Sequence, residues 1–175
     1  MVSESTPIEP GCLLTMNQER FVCLAESIKC SVRYQNVSIV LAIKPSHLEL
    51  RAFDAFHKVM QTVKSAQVVG RLNQRFFLVY LCEPIGMSQN DARAIHFSIR
   101  HFFSEVKHSD ERMYRYLTSG KVGVSVLGMD TQSVKRAVVH ASQATLAQPA
   151  GHKSRIQFYD TDLQLTIKRY VLLED

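Results

Sequence analysis

Apolar and polar positions along this chain switch between a helical and a strand period, and the switches mark its elements. Residues 17–30 put Phe21, Leu24, Ala25 and Ile28 on one helical face. An apolar run at 37–43 has the length of a buried strand. Residues 48–63 return to helical spacing through Leu48, Ala52, Phe56, Val59, Met60 and Val63. Two runs, 67–72 and 76–82, are rich in Val, Phe, Tyr and Leu and flank Asn73, Gln74 and Arg75, which is a hairpin signal. The second run is apolar nearly throughout and is expected in the centre of a sheet. A helix over 88–106 turns Ala92, Ile95, Ile99, Phe102 and Val106 inward, with Phe97 and Phe103 also assigned to packing. A strand at 120–127, a helix at 131–147, a strand at 155–159 and a last helix at 162–173 complete the chain. This order predicts an α+β domain, a central and mainly antiparallel sheet of about five strands flanked by helices.

At 175 residues the chain fits one domain with a proper core. Its 46% hydrophobic content argues against disorder, and no apolar run approaches the roughly 20 residues that cross a bilayer. No basic segment joined to an apolar core opens the chain, so a cytoplasmic location without membrane contact is expected. Residues 1–12 are polar and proline-punctuated, a flexible lead-in. Cys12, Cys23, Cys30 and Cys82 form no CxxC pair, and His96 and His101 stand five apart, off a shared helical face. The expectation is no metal site and no cofactor. A net charge of +5 permits weak attraction to nucleic acid without identifying a partner.

The stretch Arg71-Leu72-Asn73-Gln74-Arg75-Phe76-Phe77 resembles the signature hairpin of GGDEF domains, the diguanylate cyclase family, which reads Arg-x-Gly-Gly-Asp/Glu-Glu-Phe. Arg71, Leu72 and Phe77 fit the frame. Asn73 and Gln74 stand where the two glycines belong, Arg75 and Phe76 where the acid pair belongs. Downstream, residues 121–125 (KVGVS) resemble the family's Ser-Ile-Gly-Val-Ala strand. Residues 134–146 resemble the helix carrying Ala-Asp-x-Ala-Met-Tyr, matching at Ala141 and Ala144, and residues 156–160 resemble the last strand. The resemblance spans residues 13–160 and implies the palm-like fold of nucleotidyl cyclases. The segment 161–175 resembles the connector between GGDEF domains and a following EAL phosphodiesterase domain.

Synthesis of cyclic di-GMP sends a 3′-hydroxyl onto an α-phosphate, with charge handled by divalent metal on carboxylates. The resemblance puts Lys44, at the end of the first strand, and Arg75 with Phe76 at those acid positions. It puts Lys64 and Gln67 on the family's product-inhibition Arg-x-x-Asp, Pro149 on a phosphate-binding lysine, and Asp54 on an acid that contacts nucleotide. The ordinary alternative for Asp54 is a solvent-facing helical acid. No catalytic residue is assigned. The expectation is a non-enzymatic regulatory, signal-transmitting or protein-interaction module whose partner is a second copy, an adjacent EAL domain or an upstream sensor domain. Two alternatives stay open: GTP binding without catalysis through Lys44, Lys64 and Arg75, and an RNA-binding face of Arg93, Arg100, Lys107, Arg112, Arg115 and Lys121 with Tyr114 and Tyr116.

Overall fold

Residues 17–31, 36–84, 92–129, 131–147 and 156–174 are described by a computed structural model. The lead-in at 1–12 and Pro149 lie outside the described residues. In chain order the elements are α1 (Gln18–Ser31), β1 (Asn36–Lys44), α2 (Ala52–Met60), β2 (Ala66–Leu72), β3 (Phe76–Pro84), α3 (Ala92–Ser109), α4 (Glu111–Leu117), β4 (Lys121–Val126), α5 (Val134–Ala147), β5 (Ile156–Phe158) and α6 (Thr161–Glu174).

The strands form one sheet in the order β2-β3-β1-β4-β5. All pairings are antiparallel except β4 with β5, so the fold is α+β with a mixed five-stranded sheet. The first four strands follow the split β-α-β arrangement, in which β3 inserts between β1 and β2. Side chains alternate across the central strands and feed two cores. Ile39, Leu41, Ile43, Phe77, Val79 and Leu81 face a layer formed by α2, α3, α4 and α6. Val40, Ala42, Phe76, Leu78 and Tyr80 face α1 and α5 on the other side. Burial on both faces explains why residues 39–43 of β1 and 76–81 of β3 are apolar throughout.

Two glycines let helices approach the sheet closely. A Cβ at Gly123 on β4 would lie 1.8 Å from the Ala141 carbonyl oxygen of α5, and one at Gly70 on β2 would press on Phe21 of α1 at 3.1 Å. Glu26 of α1 ties the same two helices together. Its carboxylate accepts from the Val134 backbone N–H at 2.9 Å, serving the first turn of α5, and pairs with Lys29 at 2.9 Å. Burial by itself would raise the Glu26 pKa, but the bonds from Lys29 and Val134 outweigh it and hold the carboxyl below its ordinary value.

Several expectations need correction. The helix expected over 48–63 begins only at Ala52, and Leu48 is 56% exposed. Arg51 holds a left-handed backbone (φ 63°) that no helical turn shares, so the apolar spacing of Leu48 is fortuitous. Leu24 was grouped with Phe21 and Ala25 but lies at the rim, 37% exposed. Phe97 was assigned to packing and is 63% exposed, stacked on His101 at 5.8 Å. It lies only two residues from Ile95, which carries it to the far side of α3 from the inward stripe. The start expected at 131 for the helix over 131–147 falls on an isolated β-bridge between Thr131 and Leu127, and α5 opens at Val134.

The short helix α4 was not foreseen. Asp110 closes α3 and caps the next helix, its side chain accepting from the Met113 N–H at 3.0 Å. Met113, Tyr116 and Leu117 then reach the core. The final helix, expected as a connector, is fastened to the sheet over its first turns. Leu163 and Ile167 are buried, and the Gln164 amide bonds the outer edge of β5, accepting from the Phe158 N–H at 2.6 Å and donating to the Ile156 carbonyl at 3.2 Å. No helix among the described residues is long and apolar enough to cross a membrane.

Candidate functional site at the hairpin end of the sheet

The β2–β3 loop is the three-residue turn Asn73, Gln74 and Arg75, closed by the pair Leu72 and Phe76. Asn73 takes a left-handed backbone (φ 47°), which asparagine tolerates better than most residues, and its Oδ1 accepts from the Arg75 N–H at 2.8 Å. The turn is thus made by asparagine chemistry in place of glycine. All three of its side chains are exposed.

The two phenylalanines that follow diverge. Phe76 is buried among the residues packed against α1 and α5, whereas Phe77 enters the opposite core. There Phe77 stacks on Phe56 with centroids 4.4 Å apart, and meets Phe53 and Tyr116 edge-on at 4.5 and 6.1 Å. The Arg71 guanidinium covers the outer side of this cluster, 4.8 Å from the Phe53 ring centroid. Arg71 and Phe77, the two ends of the frame seen in the sequence, therefore meet through Phe53.

Strand pairing brings further cations to this end. Lys44 is one residue beyond the Ile43–Phe77 pair and stands opposite Lys121, the first residue of β4. Both lysines are partly exposed. The backbones approach closely here, because a Cβ at Gly120 would fall 2.0 Å from the Lys44 carbonyl oxygen. The exit of β1 is pinned from α4 and the turn after it. Ser46 N–H donates to Ser119 Oγ at 3.1 Å, and the Tyr116 hydroxyl donates to the His47 carbonyl at 3.0 Å while accepting from the Glu49 N–H at 3.3 Å. Burial raises the Tyr116 pKa above its ordinary value, only partly opposed by the Glu49 N–H, so the hydroxyl stays a donor.

The fold thus gathers Lys44, Asn73, Gln74, Arg75 and the Phe76–Phe77 step at one end of the sheet. Asp54 lies in the first turn of α2, next to Phe53 in sequence and partly exposed, where the helix dipole favours an acid without any ligand. Lys64 and Gln67 do not join them. Lys64 precedes β2 and Gln67 lies at its start, at the other end of the strand from the turn, and the Lys64 and Ser65 N–H groups are held by the Glu105 carboxylate of α3 at 3.2 and 3.1 Å. Among the described residues no three His, Cys, Asp or Glu side chains are grouped to hold a metal. Cys23 and Cys82 are free thiols, exposed and partly buried.

Lys121, which the sequence places only on the basic face suggested for RNA, stands at this site because it pairs with Lys44 in a non-local register that no local pattern carries. Of the basic, aromatic face suggested for RNA, Tyr116 is buried and turned inward, Arg115 is paired with Glu111, and Tyr114 is half-buried beneath Lys107. Tyr116 has no free ring face for a base.

No protein-family model matches this sequence, and no curated protein matches it. Among solved structures, the chain is similar to the GGDEF domain of TpbB (YfiN) from Pseudomonas aeruginosa, determined as a fragment comprising only that domain. The identity is 13%, the alignment covers 88% of this chain and 95% of that one, and the TM-score is 0.47.

Proposed function

We propose that this chain is a catalytically silent GGDEF-like domain that serves cyclic di-GMP signalling through contact with a protein partner. The sequence resemblance supports the family: its motifs fall, in chain order, on the β2–β3 hairpin, on β4 at Gly123, on α5 at Ala141 and Ala144, and on β5. Gly123 and Ala141 touch, so two of the matched positions form one packing contact.

The observation that carries the silent assignment is what occupies the acid positions. Lys44 and Arg75 supply cations there, Lys121 adds a third, and Phe76 is committed to the core. These residues do not fit a divalent metal. At about 4 Å, one lysine would repel such an ion by about 8 kcal/mol at an effective dielectric near 20, twice the unit-charge value, before solvent screening reduces it. No step of nucleotidyl transfer is routed through this site.

A regulatory domain of this kind acts on the turnover of its partner. The test is a purified cyclic di-GMP cyclase or EAL phosphodiesterase titrated with the chain. A saturable change in the partner's rate, with no product from the chain alone, is expected. Cyclic dinucleotide made by the chain alone overturns the proposal.

A further inference from the structure

Away from the hairpin, a cleft of about 430 Å³ opens between α3, α4 and the β4–β5 side of the sheet. Its size lies within the range of small-molecule sites, and its walls are mostly apolar. Its apolar lining comes from Ile99 and Phe103 of α3, Tyr114 of α4, Val122 of β4 and Ile156 of β5. Ile99, Phe103 and Val122 are core residues whose surfaces end at the cleft, and Tyr114 and Ile156 are partly buried against the same core.

The mouth has a different chemistry. Arg100 and Lys107 stand seven residues apart on α3, two turns along one face, with Ser104 between them and Thr118 nearby. Among the described residues no carboxylate lines the cleft. Arg100 has no ion pair among the described residues, and Lys107 lies over the Tyr114 ring at 5.5 Å. Glu111, on which the charge of Lys107 acts, is already paired with Arg115. An apolar pocket rimmed by two exposed cations is complementary to a molecule with an oily body and one anionic end.

We propose that this cleft binds a small amphipathic carboxylate, its acyl or aryl body against Phe103, Tyr114 and Ile156 and its head group between Arg100 and Lys107. The site is independent of the hairpin and of the function proposed above. Ile156 connects it to α6, because the Gln164 amide that holds this helix bonds the Ile156 carbonyl.

The test is titration of the whole chain with decanoate below its micellar concentration, followed by amide chemical shifts, with decanol and acetate as probes lacking the charge or the body. Saturable shifts confined to the cleft are expected with decanoate, and binding of decanol or acetate about tenfold weaker or less. Joint Arg100→Glu and Lys107→Glu substitution should weaken decanoate by about tenfold or more, while Arg136→Glu on α5 leaves it unchanged. Ser104→Trp, at an exposed position, should block the mouth with both cations retained, and serves if the double variant does not fold. Shifts scattered over the surface, equal binding of decanol, or binding indifferent to both the double variant and Ser104→Trp would overturn the proposal.

Discussion

Lys44 and Lys121 are directly opposed across β1 and β4 at the hairpin end of the sheet. Like charges facing each other in an antiparallel pair disfavour the pairing. Changing Lys121 to Glu creates an opposite-charge pair and should stabilise the domain by roughly 0.2–1 kcal/mol. Urea denaturation of the single variant measures it, and a second change, Lys44→Glu, should reverse the gain by restoring like charges.

The contact between Gly123 and Ala141 leaves no room for a side chain. A methyl group at position 123 would lie 1.8 Å from the Ala141 oxygen, which is backbone and moves only with α5. Gly123→Ala should therefore destabilise by roughly 1–3 kcal/mol, the usual range for overpacking, and shift the urea midpoint accordingly. An unchanged midpoint would mean that α5 does not pack on β4 as described.

Gln164 supplies both an acceptor and a donor to β5. Gln164→Leu removes both bonds and leaves the buried Phe158 N–H without this partner, at roughly 1–3 kcal/mol. Hydrogen exchange at Phe158 should accelerate much more than exchange in β1 or β3. Equal acceleration everywhere would show that α6 is not fastened locally.

His57 introduces a dependence on pH. It is buried on α2, its Nδ1 has no hydrogen-bond partner among the described residues, and its Nε2 lies 3.3 Å from the Gln61 amide nitrogen. Burial lowers its pKa below 6.5 in the folded chain. The unfolded chain therefore takes up the proton first as pH falls, and stability drops from about pH 6.5 downward through the folded pKa. Glu105 contributes in a separate, lower window. Burial would raise its pKa, but hydrogen bonds from Ser65 and Lys64 and the charge of His101 bring it below 4.5, so its stabilisation is lost only as pH falls past that value. Urea midpoints between pH 7.5 and 5 should decline in the parent chain, and His57→Leu should flatten the decline.

Much of this fold was legible because its signals are local. The apolar runs of β1 and β3, the turn around Asn73, and the stripe from Ile95 to Val106 each carry their structure within a few residues. Glycine at 123 was legible as part of a pattern, but its reason, the closeness of Ala141, is visible only in three dimensions. Helix α4 was missed because it is one short segment in a charged stretch, started by the single cap Asp110. Phe97 and Leu48 misled for the same reason: apolar character marks a residue that can be buried, and position on the helix or the backbone break at Arg51 decides whether it is. At the candidate site, Lys44 and Arg75 stood out as substitutions in a motif, whereas Lys121 joined them only through the β1–β4 register.

The most direct measurement is incubation of the purified chain with GTP and Mg²⁺ or Mn²⁺, with cyclic dinucleotide read by chromatography and binding read by calorimetry. With Lys44, Arg75 and Lys121 around the position of the acids, no product is predicted. Cyclic di-GMP formed by the chain, and abolished by Arg75→Ala, would contradict the account.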